Sequence, residues 1–248
     1  MLKVSSGSVP ESLDWRELRA VTSVKSQGEC GACWAFGVAA YIESKLIIER
    51  NYPITTDLSE QYLLSCTVGS NCVGGYPTDA LQLVAKKGIP YESSFPYTPF
   101  GRVDSKICQT TDMITEAGTR YRRIDNITDE RLISLLQIGP VTVVISSEQW
   151  YFYSSGVFSC PMNAKIDHVV LVVGYTNSTW ILKNQWGRSW GESGYMRLTR
   201  NRNVRGANCS IGAYVPYLDP VVLSVESSAG LISFSTVSLL VVLFALML

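Results

Sequence analysis

The first half of the chain carries apolar residues at helical spacing. Between Cys33 and Arg50 they recur on one side of a helix, at Trp34, Val38, Tyr41, Ile42 and Leu46. Two further helices are predicted, one over residues 58–65 behind Asp57 or Ser59 as the N-cap, and one over 78–87 that ends at a Gly-Ile-Pro sequence.

The second half reads mostly as strands. Short runs rich in β-branched and aromatic residues predict five of them, with one helix over residues 129–138; the strands cover 120–124, 141–146, 169–175, 180–184 and 194–200. Helices followed by strands are typical of an α+β fold. The formal charge is zero, with 21 basic and 21 acidic residues, so the sequence gives no reason to expect a nucleic-acid partner.

One cysteine stands where a nucleophile would be placed. Cys33 opens the first helix within Q-G-E-C-G-A-C-W-A-F, where unpaired N–H groups and the positive end of the helix dipole favour a thiolate. The dipole supplies only about 0.3 to 1 kcal/mol, so a lasting thiolate needs a cationic partner. The single histidine, His168, opens a buried strand, and Asn184 ends the next strand, where its amide oxygen can orient the imidazole.

Taken on these residues alone, other chemistry stays open. Cys30 and Cys33 form a C-x-x-C ahead of a helix, which would suit a redox pair, and the seven cysteines with one histidine exceed the ligands that zinc needs. A polar segment, not a strand, precedes the motif, and no second C-x-x-C appears. A lone histidine is itself more often structural than catalytic.

With Cys33, His168 and Asn184 in view, the chain resembles the papain-family (C1) cysteine proteases, and their papain-like or cathepsin L-like members more than the cathepsin B-like ones. That family carries C-G-[SA]-C-[WY], with His and Asn about 130 to 150 residues downstream. Here the separations are 135 and 151 residues. The likeness covers residues 9–217 and includes V-P-E-S-L-D-W-R, C-V-G-G-Y-P, I-D-H-V-V and K-N-Q-W-G-R-S-W-G-E-S-G-Y.

The resemblance implies a two-domain α+β fold with the active-site cleft between the domains. The helical left domain would span about 18–118, and an antiparallel β-barrel-like right domain would span about 9–17 and 119–217. Residues 218–248 would form a linker and an apolar tail, which fits a GPI-attachment signal or, as the alternative, a transmembrane anchor. The first residues resemble neither a signal peptide nor a prosegment, so we expect a mature N-terminus nearby or a truncated sequence.

The resemblance also assigns catalytic roles. It implies Cys33 as the nucleophile, His168 as acid and base, Asn184 as the orienting residue and Gln27 as an oxyanion-hole donor, although a lone Gln-Gly is usually just a turn. It implies no metal and no cofactor. A catalytically silent relative that binds through the same cleft, and an oxidoreductase, are the competing hypotheses.

Three residues beside the catalytic set carry weaker expectations. Trp186 matches an indole that screens the His–Asn hydrogen bond, and Asp167 either tunes the pair or is a solvated carboxylate. Gln185 stands where the family more usually has serine. On a strand its side chain is expected to point away and to have little effect.

Substrate is expected to bind beside a pair of glycines. Gly74 and Gly75 would let a peptide backbone pair as an added strand, or would serve the turn alone. The resemblance places the pocket for the second residue before the cut (P2) at apolar or aromatic positions: Tyr76, Pro77, Val144, Ile166, Val169 and Tyr214. A hydrophobic P2 preference follows.

No long insertion follows Cys108 or lies near Gly74, which favours an endopeptidase. The expected partners are peptide and protein substrates and cleft-binding protein inhibitors. The enzyme is expected to be a monomer.

Seven is an odd number of cysteines, so one is left over if the others pair. The resemblance implies three disulfides and leaves Cys33 free: Cys30–Cys72, Cys66–Cys108 and Cys160–Cys209. Disulfides imply the secretory route, towards the cell surface, a lysosome or vacuole, or the medium. Sequons at Asn126 and Asn177, with a less accessible one at Asn208, agree with that route.

Overall fold

The computed structural model describes residues 9–98, 105–111, 113–114, 120–161, 165–200 and 209–218. The helices within these residues are α1 (Cys33–Arg50), α2 (Glu60–Cys66), α3 (Pro77–Lys87) and α4 (Asp129–Leu136). The strands are β1 (Leu13–Asp14), β2 (Tyr121–Asp125), β3 (Val141–Ile145), β4 (Val157–Phe158), β5 (His168–Tyr175), β6 (Thr179–Lys183), β7 (Tyr195–Thr199) and β8 (Tyr214–Leu218). The apolar tail and the Asn208 sequon lie outside the described residues.

The helices begin and end where local chemistry stops them. Helix α1 has the predicted bounds and ends at Asn51, which takes a left-handed φ of 58° and donates its N–H to Ile47. Helix α2 begins after Ser59, whose hydroxyl oxygen accepts the Tyr62 N–H at 2.9 Å. Of the two predicted caps, Ser59 is therefore the one used.

The sheet has the order β2-β8-β3-β5-β6-β7-β4, with β1 paired to β5. Strand β5 is buried along its whole length, because both faces of the sheet are covered. The α+β arrangement agrees with the expectation, and the sheet differs from an antiparallel barrel in two respects. Among the described residues the sheet follows an open path from β2 to β4, and β4 pairs with β7 in parallel instead of antiparallel.

The core lies on both faces of this sheet. One apolar cluster joins α1, α2 and α3 to the near face and includes Trp34, Leu81 and Val169. A second cluster joins α4 to the opposite face and includes Leu132 and Trp180. We call α1, α2 and α3, with the loops before, between and after them, the helical wall, and the β-sheet the sheet wall.

Buried charges join the two walls. Lys25 Nζ lies 2.9 Å from Glu43 Oε1 and 2.6 Å from Glu60 Oε1 on the helical wall. Lys183, at the end of β6, donates to Thr22 Oγ1 at 3.0 Å, and that hydroxyl in turn donates to Glu43. Burial lowers the pKa of Lys183 to about 8, whereas the surrounding carboxylates outweigh burial and hold the pKa of Lys25 well above its usual value.

Three disulfides are present with the pairing that the resemblance implies: Cys30–Cys72, Cys66–Cys108 and Cys160–Cys209. The sequon residues Asn126 and Asn177 are both exposed. Across the described ranges, no helix has the length and apolar character needed to cross a bilayer.

Candidate active site

Cys33 lies at the first position of α1 and is the one cysteine outside the disulfides. No side chain caps this helix at Ala32, so its first N–H groups are available to an anion. The turn before it is fixed twice, by the Cys30–Cys72 disulfide and by the Gly31 N–H, which donates to the Cys72 carbonyl at 2.8 Å. Covalent and backbone contacts therefore position the thiol.

The helix terminus alone does not make this thiol acidic. Burial raises the pKa of the Cys33 thiol to about 11, and the backbone groups of Val169 and Trp34 only partly offset it. Because the Val169 backbone acts on the thiol directly, Cys33 lies against the start of β5. A charged sulfur here requires a cation nearby.

His168 is the first residue of β5 and is 5% exposed. Its Nε2 lies 2.8 Å from Asn184 Oδ1, which leaves Nδ1 as the ring nitrogen available to another partner. Burial lowers the pKa of His168, while the Asn184 hydrogen bond and the Asp167 charge act in the opposite direction. The structure therefore contains the His168–Asn184 contact that the strand arrangement predicts.

Indole rings enclose this imidazole. The Trp186 ring centroid lies 5.0 Å from that of His168, and Trp150 meets the same ring edge-on at 5.7 Å. Trp190 stacks on Trp150 and donates its Nε1–H to the Trp150 carbonyl at 3.0 Å. Trp150 was missed by sequence reasoning, since its only signal is an aromatic residue in a loop between strands.

Gln185 does not point away, and that expectation is wrong. Its Nε2 lies 2.8 Å from the Val169 carbonyl oxygen and 3.3 Å from His168 Nε2. The side chain is 5% exposed. Strand β6 ends at Lys183, so the alternation of a strand no longer governs where residues 184 and 185 point.

Gln27 belongs to the helical wall but is tied to the segment that follows β6. Its backbone N–H donates to the Gln185 carbonyl at 2.9 Å, and its carbonyl accepts the Tyr97 hydroxyl at 2.8 Å. One side-chain N–H donates to the Cys30 carbonyl at 2.7 Å. A primary amide has two such hydrogens, so the second is available to a substrate oxygen.

The glycine pair lines the same side of α1. A side chain at Gly75 would collide with Trp34 and Ser70, both 2.6 Å from the position of its Cβ, whereas Gly74 has open space around it at a φ of 153°. Gly75 is therefore needed for packing. The Gly74 N–H and carbonyl are bonded to Asn71, at 3.2 and 3.0 Å, so Gly74 gives a peptide an uncrowded approach but no free backbone group.

Three of the predicted P2 residues form a row across the sheet. Val144 is the register partner of both Val169 and Tyr214, so their side chains share one face. The Tyr214 hydroxyl donates to Thr78 Oγ1 at 2.9 Å, which places the row beside the start of α3, where Pro77 is buried. Two further predicted residues, Tyr76 and Ile166, are exposed to solvent.

Asp167 has a structural contact that the sequence did not suggest. Its Oδ1 accepts the backbone N–H of Ser147 at 2.7 Å and the Ser147 hydroxyl at 3.0 Å. It is therefore a loop anchor as well as a charge beside His168. In the described part of the chain, no three metal-binding side chains form a group that could hold an ion.

The family model for papain family cysteine proteases matches residues 9–218, and the chain belongs to that family. Papain from Carica papaya is 37% identical over 219 residues, covering 86% of this chain and 61% of papain. Stem bromelain from Ananas comosus is 33% identical over 222 residues, covering 88% of this chain and all of that relative. The chain spans 64% of a third relative, ananain of Ananas comosus.

Solved structures agree with this assignment. The bromelain protease from Ananas comosus in complex with the E64 inhibitor matches with a TM-score of 0.76 at 33% identity, covering 85% of this chain and 99% of the other. The digestive procathepsin L 3 of Tenebrio molitor larval midgut matches with a TM-score of 0.71 at 35% identity, covering 87% and 72%. The papain-like α+β fold is thereby confirmed.

Proposed function

We propose that this protein is a cysteine endopeptidase in which Cys33 is the nucleophile and His168 the acid and base. The observation that carries the proposal is the 2.8 Å contact between His168 Nε2 and Asn184 Oδ1. It is made at the start of β5, and the free thiol of Cys33 lies against the same part of that strand. The contact holds the imidazole in one orientation and directs Nδ1 to other partners.

In the proposed reaction, the Cys33 proton passes to His168 Nδ1 and the thiolate attacks the scissile carbonyl carbon. His168 then gives its proton to the leaving amine as the C–N bond breaks, which leaves a thioester on Cys33. A water molecule loses a proton to His168 and attacks the thioester carbon. The C–S bond breaks, His168 returns the proton to sulfur, and the carboxylic acid product leaves. Because burial raises the pKa of the Cys33 thiol, the first proton transfer, from Cys33 to His168, is unfavourable unless the thiolate and the imidazolium form together.

Charge that develops on the carbonyl oxygen needs donors. The free side-chain N–H of Gln27 and the backbone N–H of Cys33 are the proposed pair, since Gln27 is fixed at its other N–H by the Cys30 carbonyl. Removing the Gln27 amide is expected to lower kcat by roughly 10² to 10³. Gln27→Ala and Gln27→Glu test this, with kcat measured on a fluorogenic peptide.

Covalent labelling tests the nucleophile. We expect E-64 to modify the protein once, with the adduct mapped by mass spectrometry to the peptide that contains Cys33, and Cys33→Ala to abolish both labelling and peptide hydrolysis. Labelling without hydrolysis would support the catalytically silent relative. Hydrolysis that persists in Cys33→Ala would contradict the mechanism, and dithiol reductase activity dependent on Cys30 would support the oxidoreductase.

The apolar row of Val144, Val169 and Tyr214 supports a hydrophobic residue at P2. We expect kcat/KM for Leu or Phe at P2 to exceed that for Arg by at least about tenfold. A series of peptides that differ only at P2 measures this, and an Arg preference would contradict it.

Secretion and membrane attachment remain proposals that rest on the three disulfides and on the apolar tail sequence. Release of activity from intact cells by a phosphatidylinositol-specific phospholipase would support a GPI anchor. Release only by detergent would support a transmembrane anchor.

A further inference from the structure

Gln185 brings a hydrogen-bond donor to the same imidazole nitrogen that Asn184 holds. Its side-chain nitrogen, not its oxygen, must face the Val169 carbonyl at 2.8 Å, because two carbonyl oxygens at that distance would repel each other. The second hydrogen of that NH₂ group is left for His168 Nε2, 3.3 Å away. Two amide groups therefore meet at one ring nitrogen, one as a hydrogen-bond acceptor and the other as a donor.

The acceptor and the donor favour different protonation states of His168. Asn184 Oδ1 is an acceptor and favours a proton on Nε2, as in the imidazolium and one neutral tautomer. Gln185 Nε2 is a donor. The Gln185 amide can donate to His168 Nε2 only when that ring nitrogen carries no proton. When the ring is charged, its own N–H points towards the Gln185 N–H, and the two donors repel each other. A hydrogen bond to the neutral form lowers the pKa of a base.

We propose that Gln185 is a positioning residue that limits the protonation of His168, so that the imidazolium is lost at lower pH than it would be without the glutamine amide. The inference rests on the proposed function only for its consequence, which is an alkaline limit of peptidase activity set by Gln185. Its direct prediction concerns the imidazole and holds whether or not the protein cleaves peptides.

The surroundings of His168 leave few competing charges. Asp167 precedes it on the chain, and the Cys33 thiol approaches from α1; both act equally on the wild type and on any Gln185 variant. Trp150 and Trp186 pack against the ring and do not titrate near neutral pH. Lys183, two residues before Gln185, donates instead to Thr22.

The chain has a single histidine, so the NMR titration of its imidazole signal is unambiguous. We expect Gln185→Met, which keeps the volume and removes the donors, to raise the titration midpoint of His168 by about half to one pH unit. Gln185→Ser, which has no group long enough to reach the ring, should shift it in the same direction. The titration is run on the free enzyme and again with Cys33 blocked as its methyl disulfide, so that the thiol cannot titrate.

Gln137→Met is the matched control. That glutamine also donates from Nε2, to the Ile133 carbonyl at 3.2 Å and to the Tyr175 hydroxyl at 3.0 Å, and it is not hydrogen-bonded to His168. Its loss removes an equivalent partly buried amide and should leave the His168 midpoint unchanged. A shift of the same size in this control would show a general packing effect and would overturn the proposal.

The outcomes separate this proposal from the proposed function. A higher His168 midpoint in both Gln185 variants supports the proposal even if no peptide is cleaved, and in an active enzyme the alkaline limb of kcat/KM should move upward with it. An unchanged or lower midpoint in folded Gln185→Met and Gln185→Ser overturns the proposal, even if peptidase activity is normal.

Discussion

The two walls of the site position their key residues by different means. On the helical wall, Cys33 is fixed by the start of α1, by the Cys30–Cys72 disulfide and by the backbone hydrogen bond that Gly31 donates to the Cys72 carbonyl. On the sheet wall, His168 is fixed by side chains, with Asn184 bonded to it and Trp186 packed against it. One wall relies on backbone and covalent structure, and the other relies on the identity of a few side chains.

This difference indicates where the protein tolerates substitution. Many residues can form a helix, so the geometry around Cys33 depends little on any single side chain apart from the cysteines. The sheet wall has less redundancy, because Asn184 supplies the one amide oxygen bonded to the imidazole. Apart from the proposed nucleophile Cys33 and oxyanion donor Gln27, we therefore expect the larger effects on rate in the sheet wall and the larger effects on stability in the helical wall.

Among substitutions that keep the proposed nucleophile, the largest effect is expected from Asn184→Ala. Without the amide oxygen, the imidazole loses its fixed orientation, and kcat/KM should fall by about 10³-fold while the fold is retained. Peptide kinetics measure the loss, and thermal unfolding checks the fold. Asn177→Ala, an exposed asparagine in the turn before β6, is the control and should be silent. A loss below threefold at Asn184 would remove the distinction between the walls.

The matching change on the helical wall is the double variant Cys30→Ser with Cys72→Ser. Loss of a disulfide that closes a separation of 42 residues should lower the free energy of unfolding by roughly 3 to 4 kcal/mol. Denaturant unfolding measures it. The pair Cys160 and Cys209, with a separation of 49, is the control and should lose a similar amount without slowing E-64 labelling of Cys33. Equal slowing in both variants would argue against local control of the thiol.

A smaller effect is expected from Trp186→Ala. The indole lies against His168, so its removal lets water compete for the His–Asn hydrogen bond, and kcat/KM should fall by about tenfold. Trp186→Phe keeps an aromatic ring there and should retain most of the activity. If both variants lose equal activity, the ring acts through a contact other than screening.

The smallest effect concerns pH and the helical wall. Burial raises the pKa of Glu92 to about 7, above the ordinary carboxyl value, although the Tyr97 N–H donated to it acts the other way. A raised pKa in the folded state means that its contribution to stability is present at low pH and is lost as pH rises through about 7. Glu92→Gln should therefore flatten the decline of unfolding free energy between about pH 5 and 7. An unchanged slope in denaturant unfolding across that range would contradict this.

Sequence reasoning succeeded where the signal was local. The bounds of α1 follow from its apolar spacing, and the strands β3, β5 and β6 were placed within a residue or two by their composition. The pairing of His168 with Asn184 was also accessible, because a short turn joins β5 and β6 and brings consecutive strands together.

It failed where distant parts of the chain define the structure. Strand β8 was missed because Pro216 interrupts its pattern, and its place is fixed by pairing with β2, some ninety residues earlier in the chain. Strands β1 and β4 have two residues each, which is too few for an alternation of apolar and polar residues to be recognised in the sequence. Gln185 was misjudged because strand alternation was applied two residues past the end of the strand.

The buried charges behind the site have a consequence for how ligands bind. Lys183 immediately precedes Asn184 and reaches across to Thr22, while the Thr142 hydroxyl donates to the Gly37 carbonyl of α1 at 2.9 Å. Separating the walls would break these bonds and leave buried charges without partners. The width of the cleft is thus settled during folding. We therefore expect a peptide to meet a preorganised groove and to spend little of its binding free energy on domain closure.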